Sequence, residues 1–266
     1  MNNLRRELAP ISTEAWSTID TTARETLVAT LSGRKFVDID GPHGIQHACV
    51  ALGRLATPPK QDPGAVMYGV HQVLPLVESR TSFVLNTWEL DNIGRGASDP
   101  DLDVLTNACR KSALFEENAI FEGFAPGNIA GLASLVHGKE IALSLETEKL
   151  IDTVSEAQTR MLKEGIPGPA NLVVSAPIWK YLARSAPGGT LRSIIEQQIE
   201  GKVIYSESVK DALLVAGRGG DLALTIGQDL AIGYHSHTTT EINLFLTESF
   251  TFRVMNPQAV VGFKLK

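Results

Sequence analysis

Little in this sequence points to chemistry. Two cysteines occur in 266 residues, Cys49 and Cys109. They are too few and too far apart for a disulfide framework, and their places in different predicted elements suit reduced, buried, inert thiols of a cytosolic protein. No apolar run approaches the ~18 residues that a membrane span needs, and the opening MNNLRRELAPIS is too polar for the apolar core of a secretory signal. These absences predict a soluble, cytoplasmic chain with no membrane partner. Lysine and arginine number 24 against 30 acidic residues, for a net charge of −6. The basic residues form no block, which argues against a nucleic-acid partner.

Catalytic patterns are missing as well. There is no P-loop, no G-x-S-x-G elbow, no H-E-x-x-H and no C-x-x-C. Gly217, Gly219 and Gly220 lack dinucleotide-binding spacing and lie between two predicted strands, so they read as a turn. Asp99, Asp101 and Asp103 imitate the start of a calcium loop, but Val104 stands where that loop needs glycine and Arg110 where it needs a bidentate glutamate. His235 and His237 could share a metal on an extended segment, yet two ligands are too few, and a solvated loop edge is the better reading. Glu116 and Glu117 are adjacent on a predicted helix, which aims their carboxylates apart. They make a poor acid–base pair, with one facing solvent or a salt-bridge partner. Trp88, in the segment 85–96, could stack on a ligand, but packing or an interface explains it more simply. The sequence thus predicts no enzyme, no metal and no cofactor.

What is present is a set of amphipathic helices and short strands in no regular alternation. Trp16, Ile19, Ala23, Leu27 and Leu31 form one stripe of a helix over 13–31, and Gly33 follows where a helix would stop. GRKFVDIDGPHG (33–44) reads as a strand closed by a Gly-Pro turn. Residues 48–86 read as strand, loop and strand around the proline-rich tip 57–64. A two-stranded arm is marginal alone, so the subunit body or a neighbour should cover it. A mean hydropathy of +0.02 is consistent with apolar surface hidden between subunits.

A second helix over 101–122 carries Leu105, Ala108, Cys109, Ser112, Phe115, Ala119 and Ile120 on one face, and a third covers 147–164. Strand signals dominate after about 202. The order predicts an α+β fold with no internal repeat.

Five segments in collinear order resemble those of one known family. They are NNLRRELAPIS near the start, GRKFVDIDGPHG (33–44), WELDNIGRG (88–96), RGGDLALTIGQDLAIGY (218–234) and TESFTFRV (247–254). On these residues the chain resembles the encapsulin shell proteins, also described as linocin-type bacteriocins. The resemblance implies the tailed-phage major capsid fold. It divides the chain into an N-terminal helix and start of a peripheral domain (1–47), an extended loop (48–80), a peripheral domain with a spine helix (81–130), an axial domain (131–222) and peripheral return strands (223–266).

It also implies a homo-oligomeric cage, in the usual case of sixty copies, that encloses a cargo enzyme bearing a terminal targeting peptide. A dye-decolorising peroxidase or a ferritin-like iron oxidase is the expected cargo, hence a role in oxidative stress or iron storage. By motif, the peptide-binding residues would be Leu27, Leu31, Arg34, Val37, Asp38, Leu230 and Ile232, against the simpler reading of core packing and an Arg34–Asp38 pair. Ser185, Ala186, Pro187, Gly188, Gly189 and Thr190 correspond to the loop around a fivefold pore. Trp88 corresponds to a flavin contact in the family. Ala231 stands where serine is common, and the pore loop lacks a histidine or aromatic residue. A phage capsid enclosing DNA is the alternative, disfavoured by the missing basic clusters. A protease is a remote one.

Overall fold

The computed structural model describes residues 3–186 and 189–266. Two five-stranded sheets organise it. The first is built on the long strand Glu241–Val254, which pairs with Val77–Asn86 on one edge. Its other edge is shared by Ala231–His237 and Leu222–Ile226, and the short Asp38–Asp40 runs parallel to the latter. The second sheet runs in the order Val203–Tyr205, Ala170–Val174, Ala212–Ala216, Val260–Leu265, Ile141–Leu143.

Two-residue periodicity decides which core each side chain enters. Along Ala212–Ala216, Ala212, Leu214 and Ala216 join the core under the helices Thr147–Lys163, Ala176–Leu182 and Leu191–Ile199. Leu213 and Val215 point the other way, into a second core with Leu224, Phe250 and Phe252 of the first sheet. The helix Asp103–Phe121 links this second core to a third. Its last residues, Ala119, Ile120 and Phe121, enter the second core, while Leu105, Ala108 and Cys109 pack with Ile19, Ala23, Leu244 and Leu246. Fully burying a phenylalanine such as Phe250 or Phe252 is worth roughly 1.5–3 kcal/mol, so the seam between the sheets is strongly held.

The closing strand Val260–Leu265 lies in the second sheet, paired with Ala212–Ala216 and Ile141–Leu143. Some expectations need correcting. Only one thiol is buried. Cys109 is enclosed and desolvation pushes its pKa up to about 11, whereas Cys49 is exposed on the hairpin. Glu116 and Glu117 are 0% and 1% exposed, so neither faces solvent, and it is the salt-bridge alternative that holds, with Glu116 on Arg34 at 2.6 Å. His235 and His237 lie on a strand, not a loop, with a register shift between Tyr234 and Ser236, and His237 Nδ1 is 2.5 Å from the Tyr234 hydroxyl. A short helix, Thr87–Gly94, starts where Asn86 Oδ1 accepts from the Trp88 N–H at 2.8 Å.

The hairpin Cys49–Ala56/Val70–Pro75 leaves much of its apolar surface uncovered: Leu55, Val66, Met67, Tyr68, Val70 and Val73 are all exposed, while Leu74 is buried. No described helix is long and apolar enough to cross a membrane.

Candidate functional site

The helix Thr13–Thr30 begins where the Ser12 hydroxyl accepts from the Ala15 N–H at 3.1 Å. Ala15, Ile19 and Ala23 are buried against the long helix and first sheet, while Leu27 is only partly covered. That incomplete burial leaves a groove of about 560 Å³ between the end of this helix and residues 229–232. Leu27, Val28, Leu31, Leu230 and Ile232 supply its apolar wall, and Val28 is 63% exposed.

Of the seven residues implied by motif, the structure brings five together here: Leu27, Leu31, Arg34, Leu230 and Ile232. Val37 and Asp38 lie elsewhere. Val37 is buried between the two sheets. Asp38 Oδ2 accepts the Gly220 N–H at 2.6 Å, which ties the start of its strand to the RGGD turn, so there is no Arg34–Asp38 pair. The signature segment therefore divides its work, with one end under the groove and the other clamping the sheet.

Arg34 is the base of the groove. Its Nε is 3.0 Å from both oxygens of Glu116, its Nη2 lies 2.6 Å from Glu116 and 2.5 Å from Glu248, and its Nη1 lies 2.9 Å from Asp229. Glu116 and Glu248 are both fully buried. Burial works against the charge on Arg34, but the hydrogen bond and charge of Glu116, with Glu248 and Asp229, more than offset it and hold the guanidinium firmly protonated. Glu248 is pushed well above the usual carboxylate range, first by burial and then by the adjacent Glu116 charge. Among the described residues, one of its oxygens, Oε2, has no hydrogen-bond partner.

Next to this cluster, Glu117 accepts from the Ser32 hydroxyl and from the Gly33 N–H at 2.7 Å, yet burial still raises its pKa. A β-carbon on Gly33 would lie 2.7 Å from Ile120 Cδ1, which is why the chain needs glycine where it passes the long helix. A guanidinium saturated by three carboxylates is a fixed support. The groove offers an apolar floor for an extended segment, with charged side chains along its rim.

The Ser185–Ala186 and Gly189–Thr190 strands pair as a small hairpin, and Thr190 Oγ1 caps the next helix by accepting from the Ser193 N–H at 3.2 Å. Pro187 and Gly188 lie outside the described residues. The Trp88 ring is 65% exposed, with the Arg95 guanidinium 5.7 Å from its centroid. Among the described residues no cluster of three or more metal-ligating side chains occurs.

A family profile described as "Encapsulating protein for peroxidase" matches residues 1–251. The type 1 encapsulin shell protein of Rhodospirillum rubrum is 39% identical over 271 residues, covering 99% of this chain and 97% of that one. The chain belongs to the encapsulin shell-protein family. A second encapsulin shell protein, from Mycolicibacterium paratuberculosis, is 34% identical and covers 98% of each chain. Among solved structures, the virus-like particle of Pyrococcus furiosus superposes with a TM-score of 0.68 at 14% identity, over 95% of this chain and 100% of that one. A chain from Mycobacterium phage Cain gives 0.57 at 12% identity, over 89% and 90%. The encapsulin fold here is thus that of tailed-phage capsids, and the chain is a cage-forming shell subunit.

Sequence reasoning missed Val28, Arg24, Lys35 and Asp229 at the groove, and Glu116 and Glu248 beneath it. Val28 follows Leu27 on the predicted helix and could have been found there. The carboxylates reach Arg34 from 82 and 214 residues away, which no local pattern reveals.

Proposed function

We propose that the cage built by this chain takes in a partner enzyme by holding that enzyme's terminal peptide in the groove between the helix Thr13–Thr30 and residues 229–232. The observation that carries this reading is the groove itself. Leu27, Val28, Leu31, Leu230 and Ile232 form an unfilled apolar wall on a rigid support. An extended peptide with a few aliphatic anchors is the ligand that such a wall suits. The N-terminal helix then faces the interior. Sixty copies close the shell, and the exposed hairpin is covered by neighbouring subunits through heterologous contacts. The small hairpin around Ser185, Gly189 and Thr190 borders a small, nearly neutral opening at each fivefold axis.

The cargo proposed first is a dye-decolorising peroxidase, in keeping with the wording of the family description, and a ferritin-like iron oxidase second. Both place the particle in the cytoplasm, in oxidative defence or iron handling. The test is co-expression of the shell with a fluorescent protein that carries the C-terminal segment of either enzyme class. Fluorescence should co-purify with cages, and a Leu230→Arg shell, which still assembles, should carry none. Equal loading of the two shells would refute the groove as the docking site.

A further inference from the structure

Charge at the groove is unevenly spent. Six charged side chains line it: Arg6, Asp20, Arg24, Arg34, Lys35 and Asp229. Arg6 and Asp20 close on each other through two hydrogen bonds, at 3.0 and 2.7 Å. Asp229 is held by Arg34, whose other nitrogens are taken by Glu116 and Glu248. Two cations remain. Arg24 and Lys35 are exposed, and among the described residues neither side chain makes a hydrogen bond or ion pair. Asp20 stands one turn before Arg24, well placed for a helical ion pair, but Arg6 has claimed it. Glu25, the next acid along the helix, is adjacent to Arg24 in sequence and so projects about a quarter-turn away. In a chain of net charge −6, the one apolar groove wall described above therefore ends in an unpaired positive rim.

Resting on the reading of this groove as a peptide site, we infer that it selects a segment carrying a carboxylate beside its apolar anchors, with Arg24 and Lys35 as the residues that read it. The apolar wall supplies most of the affinity. The rim fixes register and rejects a basic segment, which would face two unneutralised cations. The carboxylate could belong to an aspartate or glutamate within the tail, or it could be the free C-terminus of the cargo chain. Exposed pairs are individually weak, each worth a few-fold at most. Two together should favour the charged segment by about three- to ten-fold near physiological salt, and less as salt rises.

A two-colour competition tests this. Green and red fluorescent proteins are co-expressed with the shell, each ending in the same short tail of leucine, isoleucine, glycine and serine. The green tail adds one aspartate and the red tail the matching asparagine, and both run on into a ten-residue glycine–serine extension that carries the terminal carboxylate away. The green-to-red ratio inside purified cages, divided by that in the lysate, should be about three to ten. In an Arg24→Gln/Lys35→Gln shell the ratio should fall to about one, because packaging of the green protein drops to the red level.

Removing the extension from the red tail distinguishes the two sources: a gain in red packaging assigns the reading to a terminal carboxylate, and no gain beside a green-to-red ratio well above one assigns it to a side chain. A ratio of one in the unmodified shell with no gain in red packaging when the extension is removed, or a preference that survives loss of both cations, overturns the inference while the groove reading stands, provided the Leu230→Arg shell loses both colours. If that shell keeps both colours, or the unmodified shell takes neither, the groove reading fails and the inference with it.

Discussion

Replacing Arg34 by alanine removes the cation that serves Glu116, Glu248 and Asp229, two of which are fully buried. Breaking a buried ion pair by deleting one partner costs about 3–5 kcal/mol, because an uncompensated charge is left in a medium that solvates it poorly. For a chain of this length about 1 kcal/mol moves the melting temperature by ~2 °C, so the variant should melt ~6–10 °C lower at pH 7.5. The deficit should depend on pH. Glu248, whose carboxyl burial already raises, can relieve the loss by taking up a proton, which is easier at pH 5 than at pH 8, so it should shrink as the pH falls.

The assay is thermal unfolding followed by tryptophan fluorescence and light scattering from pH 5 to 8.5. Particle concentrations must be matched, because assembly contributes to apparent stability. A shift under ~2 °C (about 1 kcal/mol), or one equal at both ends of the range, would refute the assignment of Arg34 as the keystone of a buried cluster.

Glu248→Gln should behave in the opposite sense. Because its carboxyl is raised in the folded state, its contribution is fully present below the unfolded value of about 4.3 and is lost as the pH climbs toward the folded value. Glutamine keeps the neutral form, so the variant should lose less stability than the parent between pH 5 and 8, read by the same melts. Gly33→Ala sets a methyl group 2.7 Å from Ile120 Cδ1 and 3.0 Å from Glu117 Oε1, and should cost about 1–3 kcal/mol by urea or thermal denaturation. Replacing Val66, Met67 and Tyr68 together by serine alters side chains that the subunit leaves 91%, 68% and 62% exposed. Circular dichroism should be unchanged, while mass photometry should find small oligomers in place of cages.

Much of the fold was legible because its signals are local. The stripe of the first helix and the turn-bounded strands after residue 202 each follow from spacing and turn residues. So does the long helix. Glu116 and Glu117 read as carboxylates aimed apart, one toward solvent or a salt-bridge partner; the salt bridge is there, from Glu116 to Arg34, but the burial of both was not legible, because charge ordinarily marks an exposed face. Their burial depends on Arg34, Ser32 and Gly33, which arrive from a segment more than 80 residues earlier. The sheet of the last strand was not legible for a similar reason: Val260–Leu265 shows apolar character suited to either sheet, and only tertiary pairing with Ala212–Ala216 decides.

At the groove, the aliphatic residues were found by motif, yet the same motif carried along Val37 and Asp38, which follow Arg34 and Lys35 closely in sequence but lie outside the groove. Arg24 and Lys35 were missed because an unpaired cation is recognised only once every other charge has found its partner.

The most direct test of the account is cryo-electron microscopy of cages co-purified with a fluorescent protein bearing a cargo-derived tail. The account predicts a closed shell of identical subunits, with the helix Thr13–Thr30 on the inner wall and tail density against Leu27, Leu31, Leu230 and Ile232. Loaded cages whose tail density lies on another surface, or in which this helix faces outward, would contradict it.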